Sequence, residues 1–367
     1  PYTTLFRSAI TQIAGRKVAA EKIPSWWEIE KIWYPKHLSL EQCSSEITAR
    51  YKARLLQGDS LTDLTGGFGI DCSFLATGFK SATYVERQEE LCEIAAHNFP
   101  VLNLNHINIK NEDGVTYLQV MSPVDCLFLD PARRNEHGGK TVAISDCEPN
   151  VAELEELLLQ KANRVMIKLS PMLDLSLALK ELKQTQEVHI LSVNNECKEL
   201  LILLGQTSPA EISIHCVNLF TKGTQKEQHF VFTREQEQCS ECTYTDSLET
   251  YLYEPNASLL KAGAFRSIAA AYPVRKLHPN SHLYTSDTFI ENFPGRIFRI
   301  VNQCSFNKKE VKENLADLKK ANVTVRNFPA TVAELRKRIH LAEGGDTYLF
   351  ASTLNNGQKV LIRCEKV

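Results

Sequence analysis

Strand-like and helix-like patterns alternate through the middle of the chain. Short apolar runs occur at residues 61–64, 82–86, 106–109, 124–130, 164–169 and 187–193. Segments with apolar residues spaced three and four apart separate most of these runs, as at residues 89–98 and 151–160. Strands that alternate with helices form βαβ units, in which helices cover both faces of a parallel sheet. The pattern therefore predicts an α/β fold with a doubly wound, mostly parallel sheet over residues 59–235.

The two ends of the chain follow other patterns. Residues 1–58 are predicted to be helical, because residues 38–56 lack glycine and proline and have helical apolar spacing. After a polar stretch, residues 248–292 are predicted to form a connecting, ferredoxin-like module. Residues 293–367 then run strand, helix, strand, helix, strand, strand, which predicts a small α+β domain.

Composition narrows the class of protein. The 367 residues carry a net charge of −2, with 43% hydrophobic and 23% charged residues, as in soluble globular proteins. The apolar run at residues 200–204 is far too short for a membrane span, so no membrane partner is predicted. Eleven dispersed cysteines are typical of buried thiols in a reducing compartment, which predicts a cytoplasmic location. Only Cys239 and Cys242 form a C-x-x-C pair, so no metal is predicted.

Charge is unevenly distributed along the chain. Residues 141–254 carry a net charge of −9, whereas residues 255–340 carry +9. A basic module behind an acidic segment favours a polyanionic partner for the C-terminal part, although solvated helices would give the same count. Three lysines of a predicted helix over residues 307–321 could share one face and hold RNA phosphates: Lys308, Lys312 and Lys319.

A glycine-rich turn follows the first predicted strand. The strand ends at Asp63, and Gly66, Gly67 and Gly69 precede the next helix. Glycines there allow a tight turn and a close approach of the backbone to a ligand. The dinucleotide pattern G-x-G-x-x-G is incomplete, because Cys72 occupies the third glycine position. The form D-x-x-G-G-x-G instead resembles motif I of class I S-adenosylmethionine-dependent methyltransferases; an ordinary βα turn is the alternative.

Two further acids complete a candidate cofactor site. Glu86 ends the second strand, twenty-three residues after Asp63, where a carboxylate can accept both hydrogen bonds of a ribose diol. Asp113 follows the third strand and is expected near the adenine. These residues predict S-adenosylmethionine as the cofactor.

The fourth strand ends in the sequence LDPARR. Asp130 lies at its carboxyl edge, where ligands react in open α/β sheets. Asp130 and Pro131 match the acid-proline motif of nucleic-acid methyltransferases, but Ala132 and Arg133 replace its second proline and its aromatic residue. That departure argues against methylation of a base amine. Arg133 and Arg134 could instead clamp a substrate phosphate, or pair with a local acid.

From about residue 26 onward, the chain resembles bacterial class I methyltransferases that carry a C-terminal THUMP-like domain. The resemblance lies in the blocks LEQCSSEITARYKA, DLTGGFG, YVER, LDPARR, IKLSPMLD, NNECKELL, YLYEPNASLLKAGAF, LYTSD, RNFPATVAELRKR and GGDTYLFAST. It implies a Rossmann-like core, methyl transfer from S-adenosylmethionine, and a THUMP-like domain at residues 293–367. Because THUMP domains proper accompany RNA-modifying enzymes, mostly those acting on tRNA, it also implies RNA as the substrate, with tRNA the expected class.

Four charged residues occupy positions like those of a catalytic set in ribose 2′-hydroxyl methyltransferases. They are Lys52, Asp130, Lys168 and Glu196. A lysine beside another cation can have a lowered pKa and act as a base, and carboxylates can orient it. Local pairing of Lys168 and a helix-start role for Glu196 are the alternatives.

Three other functions remain open from the sequence. A degenerate core could bind RNA without modifying it, and turnover with RNA would exclude that case. A nicotinamide-dependent oxidoreductase is disfavoured by the missing third glycine and by the DPARR sequence. A protein methyltransferase is also compatible with the motifs.

Overall fold

The computed structural model describes residues 2–133, 143–207 and 209–367, and the side chains of residues 2–8 and 133 are not described. The chain divides into two compact units. The first comprises Pro1–Ser213 and Leu219–Lys226, and the second comprises Ile214–Asn218 and Glu227–Val367.

Four helices precede the sheet of the first unit. They are α1 (Tyr2–Lys22), α2 (Pro24–Trp27), α3 (His37–Gln42) and α4 (Glu46–Ala53). The single helix expected at residues 38–56 is therefore two short helices separated by Cys43, Ser44 and Ser45. The backbone of Cys43 is extended, with a ψ of 160°, and Ser45 is the extended N-cap of α4. This break places a buried serine between the two helices.

The remaining elements of the first unit include the six predicted strands and also a ten-residue strand, Glu196–Gly205, which the sequence analysis missed. They are β1 (Ser60–Asp63), α5 (Ile70–Ala76), β2 (Ser81–Glu86), α6 (Glu89–Val101), β3 (Ile107–Asn111), α7 (Gly114–Val120), β4 (Val124–Leu129), β5 (Ala132–Arg133), β6 (Cys147–Glu148), α8 (Val151–Lys161), β7 (Ala162–Leu169), α9 (Leu175–Glu181), β8 (Thr185–Val193) and β9 (Glu196–Gly205).

The main sheet of this unit has the strand order β8-β9-β7-β4-β1-β2-β3. Strands β1 to β4 and β7 pair in parallel, whereas β9 pairs antiparallel with both β7 and β8. The predicted doubly wound, mostly parallel α/β fold is confirmed. Because the parallel strands share one direction, their carboxyl ends meet at one edge, and this edge carries Asp63, Asp130 and Lys168.

Strands β10 (Ser213–Leu219) and β11 (Glu227–Thr233) are hydrogen-bonded neighbours. The second unit continues with α10 (Arg234–Cys239), β12 (Tyr251–Pro255), α11 (Ala257–Ala262), α12 (Ser267–Ala271), β13 (Arg275–Lys276), β14 (Tyr284–Ser286), β15 (Gly295–Ser305), α13 (Lys308–Leu315), β16 (Asn322–Val325), α14 (Val332–Ile339), β17 (Thr347–Thr353) and β18 (Lys359–Lys366).

Strands β12 to β18 of the second unit form a seven-stranded sheet of order β13-β14-β12-β15-β18-β17-β16. Its described pairs are antiparallel except that β16 pairs in parallel with β17. From β15 onward the order is strand, helix, strand, helix, strand, strand, which agrees with the α+β pattern of the sequence. Among the described helices of both units, none combines the length and apolarity needed to cross a membrane.

Candidate functional site

A cavity of about 1000 Å³ opens at the carboxyl edge of the main sheet in the first unit. Its lining includes nine of the residues that the sequence analysis singled out: Asp63, Gly66, Gly67, Gly69, Glu86, Asp113, Asp130, Pro131 and Lys168. These residues come from the ends of five different strands and the segments that follow them. The topology of the sheet therefore brings together side chains that are more than 100 residues apart in the chain.

The glycine turn between β1 and α5 depends on its glycines. Gly67 and Gly69 have φ angles of +53° and +86°, a backbone conformation that residues other than glycine rarely adopt. A Cβ on Gly66 would lie 2.2 Å from the ring of Tyr84. The turn can therefore pack directly against β2, and its other side lines the cavity.

The Glu86 carboxylate fixes this turn from the neighbouring strand. It accepts a hydrogen bond from the Gly67 N–H at 2.9 Å and another from the Gln88 N–H at 2.8 Å. Glu86 is 8% exposed and lines the cavity. The acid expected to bind a ribose therefore also holds the glycine turn in place.

Asp63 carries a buried oxygen atom without a partner. Its Oδ1 accepts the Thr65 N–H at 2.9 Å, whereas its Oδ2 has no hydrogen-bond partner among the described residues. Burial, with further contributions from the carboxylates of Asp71, Asp130 and Glu86, raises the pKa of Asp63 to about 8. A buried acid without a cationic partner is suited to receive a cationic group of a ligand.

Asp113 has a structural role as well as a place in the cavity lining. Its Oδ1 accepts the N–H groups of Val115 and Thr116, both at 3.0 Å, and so caps α7. The next residue, Gly114, must be glycine, because a Cβ atom there would lie 2.1 Å from the Leu64 carbonyl oxygen. The capped helix therefore packs closely against the strand that carries Asp63.

Beside the glycine turn lies a buried lysine–carboxylate cluster, which we define as Ser44, Lys52, Asp71, Asp130, Lys168 and Glu199. Lys168 pairs with Asp130 and lies 3.3 Å from Asp71 Oδ2. Lys52 lies 2.6 Å from Glu199 Oε2 and 3.0 Å from Asp71 Oδ1. Asp71 thus links the two lysines.

The Ser44 hydroxyl lies at the centre of this cluster. It accepts hydrogen bonds from Lys52 Nζ at 2.8 Å and from Lys168 Nζ at 3.1 Å, and it donates to Asp71 Oδ2 at 2.7 Å. Asp130 is the most open member, with 36% of its side chain exposed, against 10% for Lys168 and 0% for Lys52. The cluster therefore reaches the cavity chiefly through Asp130.

The pKa values follow from burial and from this pairing. Burial disfavours the Lys168 ammonium, but the carboxylates of Asp130, Asp71 and Glu199 outweigh it and raise the Lys168 pKa well above its usual value. Burial raises the pKa of Asp130, and Lys168 opposes that shift. The expectation that a lysine of this set has a lowered pKa is therefore wrong for Lys168.

One member of the expected catalytic set lies elsewhere. The Glu196 side chain is 73% exposed and pairs with Lys198 at 2.6 Å. Glu199, three residues later in β9, occupies the place in the cluster that was expected for Glu196. The sequence analysis also missed Ser44 and Asp71, although Ser44 lies in the block LEQCSSEITARYKA and Asp71 directly follows the glycine turn.

The segment after Asp130 is only partly described. Pro131 is buried and lines the cavity, and Ala132 and Arg133 form β5, which pairs with β6. The side chain of Arg133 and all of Arg134 lie outside the described residues. The predicted phosphate clamp thus stays a prediction.

In the second unit, the basic helix is shorter than expected. Helix α13 ends at Leu315, so Lys308 and Lys312 lie on it and Lys319 lies in the turn beyond it. Beyond the helix, the Lys319 carbonyl oxygen accepts a hydrogen bond from the Ala342 N–H at 3.0 Å. The prediction that all three lysines share one helix face is therefore wrong, although all three side chains are exposed.

Several arginines of the basic segment are already paired. The buried Glu254 carboxylate, 1% exposed, binds Arg296 and also Arg326, whose Nη2 lies at 3.0 Å. Arg299 pairs with Glu365 at 2.8 Å, and Arg336 lies 3.7 Å from Glu343. Part of the positive charge therefore stabilises the fold rather than forming a free basic surface.

Comparison with known proteins shows which family the chain belongs to. Residues 251–294 match a family model described as a ferredoxin-like domain, and residues 295–366 match one described as THUMP domain-like. No curated protein matches this chain. A solved structure from Porphyromonas gingivalis W83, provisionally named a methyltransferase, is 37% identical, with a TM-score of 0.89 over 98% of this chain and 90% of that chain.

Two streptococcal structures resemble less than half of this chain. A provisionally named methyltransferase from Streptococcus mutans, in complex with SAH, is 14% identical, with a TM-score of 0.32 over 44% of this chain and 96% of that chain. An rRNA methylase from Streptococcus thermophilus is 15% identical, with a TM-score of 0.31 over 43% of this chain and 93% of that chain.

The parallel sheet, the glycine turn and the cavity at the strand ends together define a class I methyltransferase core. Identity of 37% over nearly the whole length shows that the chain belongs to the family of the Porphyromonas gingivalis protein. The protein of that structure is provisionally named a methyltransferase, and this chain carries a THUMP domain-like region at its C-terminus.

Proposed function

We propose that this protein transfers a methyl group from S-adenosylmethionine to RNA, with tRNA as the expected class. The observation that carries the proposal is one cavity holding both the partnerless Asp63 oxygen beside the glycine turn and the partly exposed Asp130 carboxylate. The first suits a cationic cofactor and the second a reacting group. When bound, S-adenosylmethionine supplies an electrophilic methyl group on a sulfonium.

The cavity has a suitable residue for each polar part of that cofactor. The Oδ2 atom of Asp63 would accept the ammonium group, which gives the buried oxygen its missing partner. The Glu86 carboxylate would accept the ribose hydroxyls while keeping its bonds to the backbone, because a carboxylate has about four acceptor sites. The turn from Gly66 to Gly69 would lie beneath the methionine part, with Asp113 near the adenine.

Asp63 gives this proposal a pH-dependent test. Near pH 7 most of the Asp63 carboxyl groups of the free protein hold a proton, because the pKa is raised to about 8. Binding of an ammonium group needs the carboxylate, so we expect S-adenosylhomocysteine, the demethylated product, to release up to one proton from Asp63 as it binds. Calorimetry at pH 6.5 in buffers of different ionisation enthalpy measures that release.

Asp63→Asn should abolish the proton release and weaken binding, whereas Asp113→Asn should leave the release intact.

The same raised pKa has a consequence for the free protein. Since the folded-state pKa lies above the unfolded value, the contribution of Asp63 to stability is full below about pH 4 and falls as the pH rises through 8. Tight binding of NAD, with no binding of S-adenosylhomocysteine, would contradict the proposed cofactor.

The second unit supplies the argument for RNA. Lys308, Lys312 and Lys319 are exposed and, among the described residues, have no salt-bridge partner, unlike the neighbouring arginines. Ammonium groups free to contact solvent can bind phosphates and release counterions. The THUMP domain-like match covers the same segment, which favours RNA as the polyanion.

Replacing these three lysines with glutamine should weaken RNA binding and reduce its salt dependence. Each lost phosphate contact lowers the slope of log affinity against log salt by about 0.7–0.9. Filter binding of tRNA at several salt concentrations measures the slope, with S-adenosylhomocysteine affinity as the control. Unchanged RNA affinity and slope would show that these lysines are only solvated surface.

A further inference from the structure

The contacts of Lys168 leave it no capacity to act as a base. A lysine ammonium has three N–H donors and no acceptor. Three oxygen atoms surround Lys168 Nζ: those of Asp130, of Asp71 at 3.3 Å and of Ser44 at 3.1 Å. A neutral amine would turn its lone pair towards one of these oxygens and leave that buried acceptor without a donor.

Lys52 is held in a similar way, by two hydrogen bonds and one ion pair. Its Nζ meets Glu199 at 2.6 Å, Ser44 at 2.8 Å and Asp71 at 3.0 Å. The Ser44 hydroxyl is also fully used, because it donates to Asp71 and accepts from both lysines. The two ammonium groups are thus fixed as donors by one shared set of acceptors.

Asp130 is then the member of the cluster that can accept a proton from a substrate. It lies at the carboxyl end of β4, lines the cavity and has 36% of its side chain exposed. The charged groups that act on it come from several elements: Asp63 of β1, Lys52 of α4, Asp71 of α5 and Lys168 of β7. Its Oδ2 pairs with Lys168, so the ammonium holds this carboxylate in place at the cavity wall.

A carboxylate suits some nucleophiles and not others. A ribose hydroxyl must lose its proton as it attacks, and an alkoxide is a far stronger base than a carboxylate. An amino nitrogen attacks through its own lone pair while neutral. Once methylated it is cationic and acidic, and it readily gives its proton to a carboxylate.

Building on the proposed function, we propose that the methyl group is transferred to an amino nitrogen of a nucleobase and that Asp130 takes the proton, while Ser44, Asp71 and Glu199 keep both lysines as ammonium groups. The nitrogen–carbon bond forms from the nitrogen lone pair. The carbon–sulfur bond breaks with its electrons remaining on sulfur, and one N–H proton passes to Asp130 and then to solvent. The departure after Pro131 argued in the sequence against methylation of a base amine, because it removes an aromatic stacking partner for the base. The carboxylate that takes the proton is nevertheless in place.

The identity of the methylated nucleoside tests this inference directly. Total RNA from the source organism with the gene deleted is incubated with the full-length protein and labelled S-adenosylmethionine, and nucleosides are identified by mass spectrometry. An N-methylated amino group on a base supports the inference. A 2′-O-methyl or C-methyl nucleoside overturns it and leaves the proposed function standing, whereas no transfer to any RNA overturns both.

Two variants of Lys168 test the role of the ammonium. Arginine keeps a permanent charge and cannot act as a base, whereas methionine removes the charge. We expect Lys168→Arg to keep activity within about tenfold of the unaltered protein and Lys168→Met to lose about 10²-fold or more. If both variants bind S-adenosylhomocysteine normally and are equally inactive, Lys168 is a base and the inference fails. Should Lys168→Arg not fold, the nucleoside identity decides alone.

Discussion

Asp130→Asn should abolish methyl transfer and leave the affinity for S-adenosylhomocysteine near that of the unaltered protein. The amide has the shape of the carboxylate but accepts no proton, and a positioned general base contributes about 10²–10⁴-fold to a rate. Cofactor affinity should survive, because the residues expected to bind the cofactor, Asp63 and Glu86, are held by their own backbone contacts. Single-turnover transfer and calorimetry measure the two quantities separately.

Asp174→Asn is the matched control for this experiment. Asp174 caps α9 by accepting the Leu177 N–H at 2.9 Å and does not line the cavity. Asparagine caps a helix about as well as aspartate, so neither stability nor transfer should change. Full turnover by Asp130→Asn on the identified RNA would show that Asp130 does not act on the nucleophile.

The sequence predicted the sheet and much of the site because both depend on local pattern. Alternation of apolar runs and helical segments predicts parallel strands, and parallel strands place their carboxyl ends at one edge. Asp63, Asp130 and Lys168 each directly follow or end an apolar strand, so their meeting in one cavity could be expected without knowing any distance.

The acid of the cluster could not be chosen from the sequence. Side chains alternate between the faces of a strand, so a one-residue shift in register moves every residue to the opposite face. The pairing of β8 with β9 shifts between Leu191 and Ser192, and the hairpin turns through Asn194 and Asn195, which both have positive φ. These local features decide that Glu199 is buried and Glu196 is exposed.

Ser44 and Lys319 were misjudged for a related reason. Both lie where a helical pattern continues in the sequence but the helix stops. The extended backbone of Cys43 ends α3. Helix α13 ends early, and beyond it the Lys319 carbonyl oxygen accepts a backbone hydrogen bond from Ala342. Helix ends depend on such tertiary partners, which apolar spacing does not reveal.

A large loss of stability is expected for Lys52→Met. Lys52 is fully buried, and its ammonium lies between Glu199 and Asp71. Removing it leaves two buried carboxylates with only Lys168 and Ser44 nearby, and breaking a buried pair in this way costs about 3–5 kcal/mol. Urea unfolding at pH 7 measures the change in the free energy of unfolding.

The pH dependence and a surface control make this prediction specific. Burial alone would raise the pKa of Asp71, but Lys52 and Lys168 lower it to about 2, so its pairing stabilises the native protein above about pH 4 and is lost as the pH falls towards 2. In Lys52→Met the uncompensated carboxylates should make the variant recover part of its stability on mild acidification.

Lys80→Met removes an exposed lysine that pairs with Asp59 at 2.8 Å, and the unfolding midpoint should barely move. Equal effects of the two changes would mean that the cluster contributes no more than a surface ion pair.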